Sequence, residues 1–299
     1  MAIRGLTNFQ QASGGLGSHI LKALLQANFE VTVLARSQPS TPYDTGVKVI
    51  EVEFTSEESL TAALAGQDAV VSAVGPTVID GQKVLIDAAV ASGVKRFIPS
   101  DFGSCTTNAE LKTLPIYSHM ASIQQYLDDK AKLSTLSYTI LASGAFLEYI
   151  FKTPTLLDFK NHTATLIDDG NNRLSTTRMA QLGTAVAGIL SHPNETNNRT
   201  VHVSQVIVTQ NKLLEIARKL KPETEWKVNT TQSSVLLQDS LKGFAAGDSS
   251  FPNVMKMLSG TSLAGDRYGA AYDETDNKLL GVDAITEEEL EKLVAESLG

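Results

Sequence analysis

The segment Ala12-Ser-Gly-Gly-Leu-Gly17 stands directly ahead of an apolar helical pattern at residues 18–27. Glycines in a turn that enters a helix let the backbone approach a phosphate closely, and free N–H groups and the helix dipole meet its charge. Ser13, Gly14, Leu16 and Gly17 are therefore the first candidate contacts to a dinucleotide pyrophosphate. A second signal is Arg36, which follows the buried strand pattern at residues 29–35. The residue at that strand end faces the adenosine ribose, and a cation there suits a 2′-phosphate, so Arg36 selects NADP. A third group, Ser72 and Gly75, closes the apolar run Asp68-Ala-Val-Val-Ser-Ala-Val-Gly75. It lies at the carboxyl end of a strand, where open α/β sheets bind their ligands.

These candidates need a scaffold, and the order of periodic segments supplies one. Residues 48–54 read as a strand and 56–64 as a helix, whose start Ser56-Glu-Glu-Ser-Leu offers a capping serine and early carboxylates. A helical pattern at 82–92 follows, in which Gln82 reads as a surface residue. Gly93-Val-Lys-Arg-Phe-Ile-Pro-Ser-Asp-Phe-Gly103 then joins a short apolar strand to a polar loop, and 137–142 is a later strand. Beyond these come a turn at 168–170, an amphipathic helix at 179–190, a strand at 199–204 and a capped helix from Thr286. Alternation of this kind predicts an α/β fold: a Rossmann-like doubly wound parallel sheet over residues 1–150. A small C-terminal α+β substrate lobe over 151–299, interleaved with the last sheet elements, completes the expectation. One segment runs against the pattern. Residues 5–11, Gly-Leu-Thr-Asn-Phe-Gln-Gln, are polar where a central parallel strand is ordinarily apolar, which predicts a weakened first strand.

Composition narrows the function classes. The chain has 299 residues, is 42% hydrophobic, and carries a net charge of −8 with its lysines and arginines scattered. That balance disfavours a nucleic-acid partner, and no run approaches the roughly 18 apolar residues of a membrane span. The start lacks an apolar leader and Cys105 has no second cysteine to pair with, so a cytoplasmic location is expected. Cys105 itself reads as a small loop residue. The five histidines are dispersed without ligand spacing, so no metal is expected.

The strand, helix, strand and loop of residues 68–103 resemble the isoflavone reductase-like, or phenylcoumaran benzylic ether reductase-like, group within the NmrA-like atypical short-chain dehydrogenases. Asp276-Asn-Lys-Leu-Leu-Gly281 resembles their fungal members. The family's glycine turn reads Gly-x-x-Gly-x-x-Gly; Gly14 and Gly17 match it, while the first glycine is replaced by Gln11. In these reductases the helix after the Pro-Ser-Glu-Phe-Gly-like loop presents a lysine that transfers protons and orients the nicotinamide ribose. The resemblance puts Met120 at that position, and a thioether neither donates a proton nor carries charge. His119 and Tyr117 are the substitutes on the same helix. Tyr126 and Lys130 fit the Tyr-x-x-x-Lys spacing of other short-chain dehydrogenases, with a half-packed exposed pair as the alternative. Phe146, in Ala142-Ser-Gly-Ala-Phe-Leu-Glu-Tyr149, resembles the residue beneath the nicotinamide.

The resemblance implies an NADPH-dependent reductase acting on a small aromatic or phenolic substrate held between Phe146, Tyr149 and the second lobe. Two further readings stay open: an NADP-sensing regulator with a protein partner, and a non-redox dehydratase or isomerase in the same cleft.

Overall fold

The computed structural model describes residues 4–8, 15–38, 43 and 46–299. Along the first half, strands β1 (Arg4–Asn8), β2 (Glu30–Ala35), β3 (Lys48–Glu51), β4 (Ala69–Ser72), β5 (Arg96–Ile98) and β6 (Ser137–Ala142) alternate with helices. The helices are α1 (Gly15–Gln26), α2 (Glu57–Leu64), α3 (Gln82–Ala91) and α4 (Pro115–Leu133). Ser56 caps α2 as its type predicts, its hydroxyl accepting from the Ser59 N–H.

The second half adds β7 (Ala145–Phe146), α5 (Leu147–Lys152), β8 (Thr163–Ile167), β9 (Leu174–Thr177), α6 (Met179–Ser191), β10 (Arg199–His202), β11 (Val206–Val208) and α7 (Gln210–Leu220). It ends with β12 (Lys227–Thr231), α8 (Ser233–Ala245), α9 (Phe251–Gly260), α10 (Asn277–Leu280) and α11 (Glu287–Leu298). Thr286 and Glu289 form the expected capping box at the start of α11.

Seven strands form one parallel sheet in the order β10-β6-β5-β4-β1-β2-β3. The strand order turns back between β1 and β4, and that reversal opens a crevice at the carboxyl ends of the strands. β1 pairs with β2 on one side and β4 on the other, so the polar composition of residues 5–8 does not prevent a central strand. Sheet pairing is carried by backbone N–H and C=O groups, which every non-proline residue supplies.

Each face of the sheet has its own core. α1 and α6 cover one face through Ile20, Leu24, Leu182 and Val186. They approach closely because Gly183 has no Cβ, which would lie 2.5 Å from the His19 carbonyl oxygen. α2, α3 and α4 cover the other face through Leu60, Leu85, Ile86, Ile123 and Leu127. α6 and β10 thus belong to the main sheet although they follow residue 150. The remaining elements build a separate core around Phe159, Trp226, Leu213 and Leu290, with a three-stranded sheet β11-β9-β7 and a parallel pair β12-β8. Among the described residues no helix is long and apolar enough to cross a membrane.

Candidate active site

A cleft of about 370 Å³ opens at the carboxyl ends of β1, β4, β5 and β6. The first turn of α1 brings Gly15, Leu16 and Gly17 to it, and no acidic side chain occupies that turn to oppose an anion. The loop after β4 contributes Gly75, where a Cβ would meet nothing within 4 Å, so the backbone is open to a ligand.

The loop after β5 forms the floor with Ser100 and Phe102. Its shape is fixed by three bonds. The Ser100 N–H donates to Gln82 Oε1 at 2.7 Å, and the Ser100 hydroxyl donates to the Val74 carbonyl at 2.8 Å. The Ser143 hydroxyl donates to the Phe102 carbonyl at 2.7 Å. Gln82 is accordingly buried at 2% exposure, which corrects its assignment to the surface. A side-chain amide held to a backbone N–H rigidifies the loop at the β5 end.

Phe146 and Tyr149 also line the cleft, stacked at 5.9 Å between ring centroids with planes 22° apart. Met179 joins them from the start of α6, where its N–H donates to both oxygens of Glu148 at 3.0 and 3.2 Å. The carboxylate caps α6 and neutralises its positive end. Met120 completes the lining from α4. No side chain that carries charge at neutral pH lines this cleft among the described residues.

The structure therefore brings Leu16, Gly17, Gly75, Met120 and Phe146 together as the sequence suggests. Ser13 and Gly14, with Gln11, lie outside the described residues. Other candidates fall elsewhere. Ser72 is fully buried, one residue below the first cleft-lining position of its loop, and its hydroxyl has no partner among the described residues. Arg36 is exposed in a second, open groove with Glu51, Val52, Glu53, Phe54 and Ser59, beyond the ends of β2 and β3.

Tyr117 does not reach the cleft. It is 3% exposed, with its hydroxyl 2.6 Å from Thr261 Oγ1 and 3.1 Å from Ser262 Oγ, and burial pushes its pKa up. His119 also stays outside, its Nδ1 2.7 Å from Asp80 Oδ2 in a largely exposed pair. Both are corrected: His119 lies one residue and about 100° around α4 from Met120, while Tyr117, nearly a full turn before Met120, is held by Thr261 and Ser262. Tyr126 donates to Asp87 Oδ1 at 2.7 Å, and Lys130 Nζ lies 2.5 Å from the same oxygen. Desolvation, and then the bond to Asp87, raise the Tyr126 pKa, the opposite of an activated phenol. Cys105 is buried against Ser262 and Tyr117, and burial raises its thiol pKa, as suits a structural residue.

A model of the NmrA-like family matches residues 9–294. The chain belongs to the NmrA-like family. It is 32% identical over 281 residues to the oxidoreductase poxI of Penicillium oxalicum, covering 91% of this chain and 88% of that one. It is 33% identical over 279 residues to the oxidoreductase aprR of Aspergillus flavus, covering 91% and 92%. Among solved structures, an isoflavone reductase superposes with a TM-score of 0.79 at 22% identity, covering 99% of both chains. The leucoanthocyanidin reductase–NADPH complex from Vitis vinifera gives 0.75 at 21% identity, also over 99% of both. These likenesses bear out the NmrA-like assignment and its Rossmann-like sheet.

Local reading missed Ser100, Met179 and Asp101. Met179 comes from a remote helix and carries no local signal. Asp101 sits at 3% exposure next to Ser100 of the floor loop, where Gln124 Nε2 donates to its Oδ2 at 2.7 Å. Burial raises its pKa above the ordinary carboxylate value despite the lowering effect of Gln124, Thr106 and the Gly103 backbone. The folded protein then holds a proton that the unfolded chain releases, so stability falls as pH rises from the ordinary carboxylate pKa through the folded one. Urea midpoints measured between about pH 4 and pH 8 are expected to fall with pH more steeply in the wild type than in Asp101→Asn. Parallel profiles would show Asp101 ionised in the fold.

Proposed function

We propose that this protein is an NADP-dependent oxidoreductase that reduces a small, uncharged aromatic or phenolic substrate. The observation that carries the reading is the cleft itself, where the α1 N-terminus and two open strand-end loops meet three aromatic rings, Phe102, Phe146 and Tyr149. The glycine-lined turn and the gap at Gly75 fit a pyrophosphate and ribose, and the exposed Arg36 side chain, beside Glu51 and Glu53, is the cation offered to an adenosine 2′-phosphate. Reduced nicotinamide supplies a hydride when bound. The chain's residues orient, exclude water and complement a flat apolar ring, which the uncharged walls favour over an anionic substrate. The oxidoreductase names of the fungal relatives support turnover over the sensor and non-redox readings.

Calorimetric titration with NADPH and NADH, followed by NADPH oxidation with a panel of aromatic ketones and enones, tests this. Arg36→Ala is expected to weaken NADPH by roughly 1.5–3 kcal/mol, about 10- to 150-fold, and to leave NADH nearly unchanged. Equal loss for both would remove Arg36 from the 2′-phosphate site. Binding of NADPH without oxidation by any substrate would favour the sensor reading.

A further inference from the structure

We infer that Tyr149 is the proton donor of this cleft, in place of the lysine that Met120 displaces. The inference rests on the reductase reading above. Tyr149 Oη is the one side-chain group on the described lining that has a proton to give. Ser100 has a hydroxyl, but its proton is committed to the Val74 carbonyl at 2.8 Å. Met120 and Met179 have thioethers, which accept weakly and donate nothing. The two residues expected to compensate are engaged elsewhere, Tyr117 with Thr261 and His119 with Asp80.

Tyr149 is also suitably held. Its ring stacks on Phe146, which fixes its plane along the wall, while 54% exposure keeps contact with solvent. A planar substrate bound against the Phe146–Tyr149 pair would meet the phenol on the cleft wall.

The step balances for a carbonyl substrate. The transferred hydride forms a C–H bond at the carbonyl carbon, and the π pair moves to oxygen. The Tyr149 O–H bond breaks as its proton passes to that oxygen, and the phenolate recovers a proton from water through its exposed side. The nicotinamide leaves oxidised and the substrate leaves as the alcohol.

Tyr149→Phe keeps the ring stack and removes only the hydroxyl. It is expected to lower kcat on aromatic ketones by about 10²-fold, with NADPH affinity by titration unchanged and KM nearly so. The wild type should show a solvent deuterium isotope effect on kcat that the variant lacks or alters. Unchanged kcat in Tyr149→Phe with an active wild type would overturn this inference and leave the reductase reading standing. A tenfold loss of NADPH affinity in the variant would make Tyr149 a cofactor-positioning residue and also overturn it. A wild type that binds NADPH and reduces nothing would remove the reductase reading and this inference together.

Discussion

Met120→Lys is expected to raise kcat, by roughly 10²-fold when introduced into Tyr149→Phe and by less in the wild type. Met120 is partly buried against the core of α3, α4 and the sheet, and its thioether reaches the cleft. An ammonium there would have an apolar stem environment and an uncharged cleft before it. Desolvation would lower its pKa toward the working range of a general acid, because burial disfavours the charged form. The gain is larger in Tyr149→Phe because the other hydroxyl proton on the described lining, that of Ser100, is held by the Val74 carbonyl. Steady-state rates of the wild type, the two single variants and the double variant give the comparison. Equal gains in both backgrounds would mean that Tyr149 donates nothing, and no gain in either would mean that proton transfer does not limit turnover.

Gly144→Ala is expected to destabilise the fold by about 2–5 kcal/mol, the combined cost of a left-handed backbone and an overpacked contact. Gly144 has φ +68°, and a Cβ there would lie 2.0 Å from the Ser175 carbonyl oxygen. The close approach has a purpose in the site. Ser143 holds the Phe102 carbonyl and accepts from the Thr177 hydroxyl through its own carbonyl, while β7 pairs Phe146 with Thr177 of β9. Pushing Gly144 away from Ser175 would displace both aromatic walls. A urea titration should show the loss of stability, and NADPH-dependent turnover should fall with it at temperatures where the variant is still folded. Wild-type stability in Gly144→Ala would show that β7 and β9 can separate without cost.

Much of the scaffold was legible in the sequence. Buried parallel strands read as continuous apolar runs, as at residues 69–72, and helix caps announce themselves by residue type, as at Ser56 and Thr286. The resemblance carried by residues 68–103 and 276–281 is matched by a family model over residues 9–294.

The first strand shows where pattern misleads. Residues 5–8 lack the apolar run, yet their backbone fills the central place between β2 and β4, because strand pairing is made by main-chain groups and decided by neighbours distant in sequence.

The site divides the same way. Leu16, Gly17, Gly75, Met120 and Phe146 follow from their positions at strand ends and on α4, which sequence order determines. Side-chain direction does not follow from order alone. Tyr117, His119 and Met120 are near neighbours in sequence, and only the packing of α4 against Thr261 and Ser262, the Pro76–Gly81 turn and the sheet decides that, of the three, Met120 enters the cleft. Met179 and Glu148 meet through a fold contact between segments 31 residues apart. The sequence by itself determined the alternating elements of the sheet and the place of the cleft at its strand ends. Only the tertiary structure decided that Tyr149 is left as the proton-bearing side chain on its described wall, because burial and hydrogen bonding elsewhere commit the others.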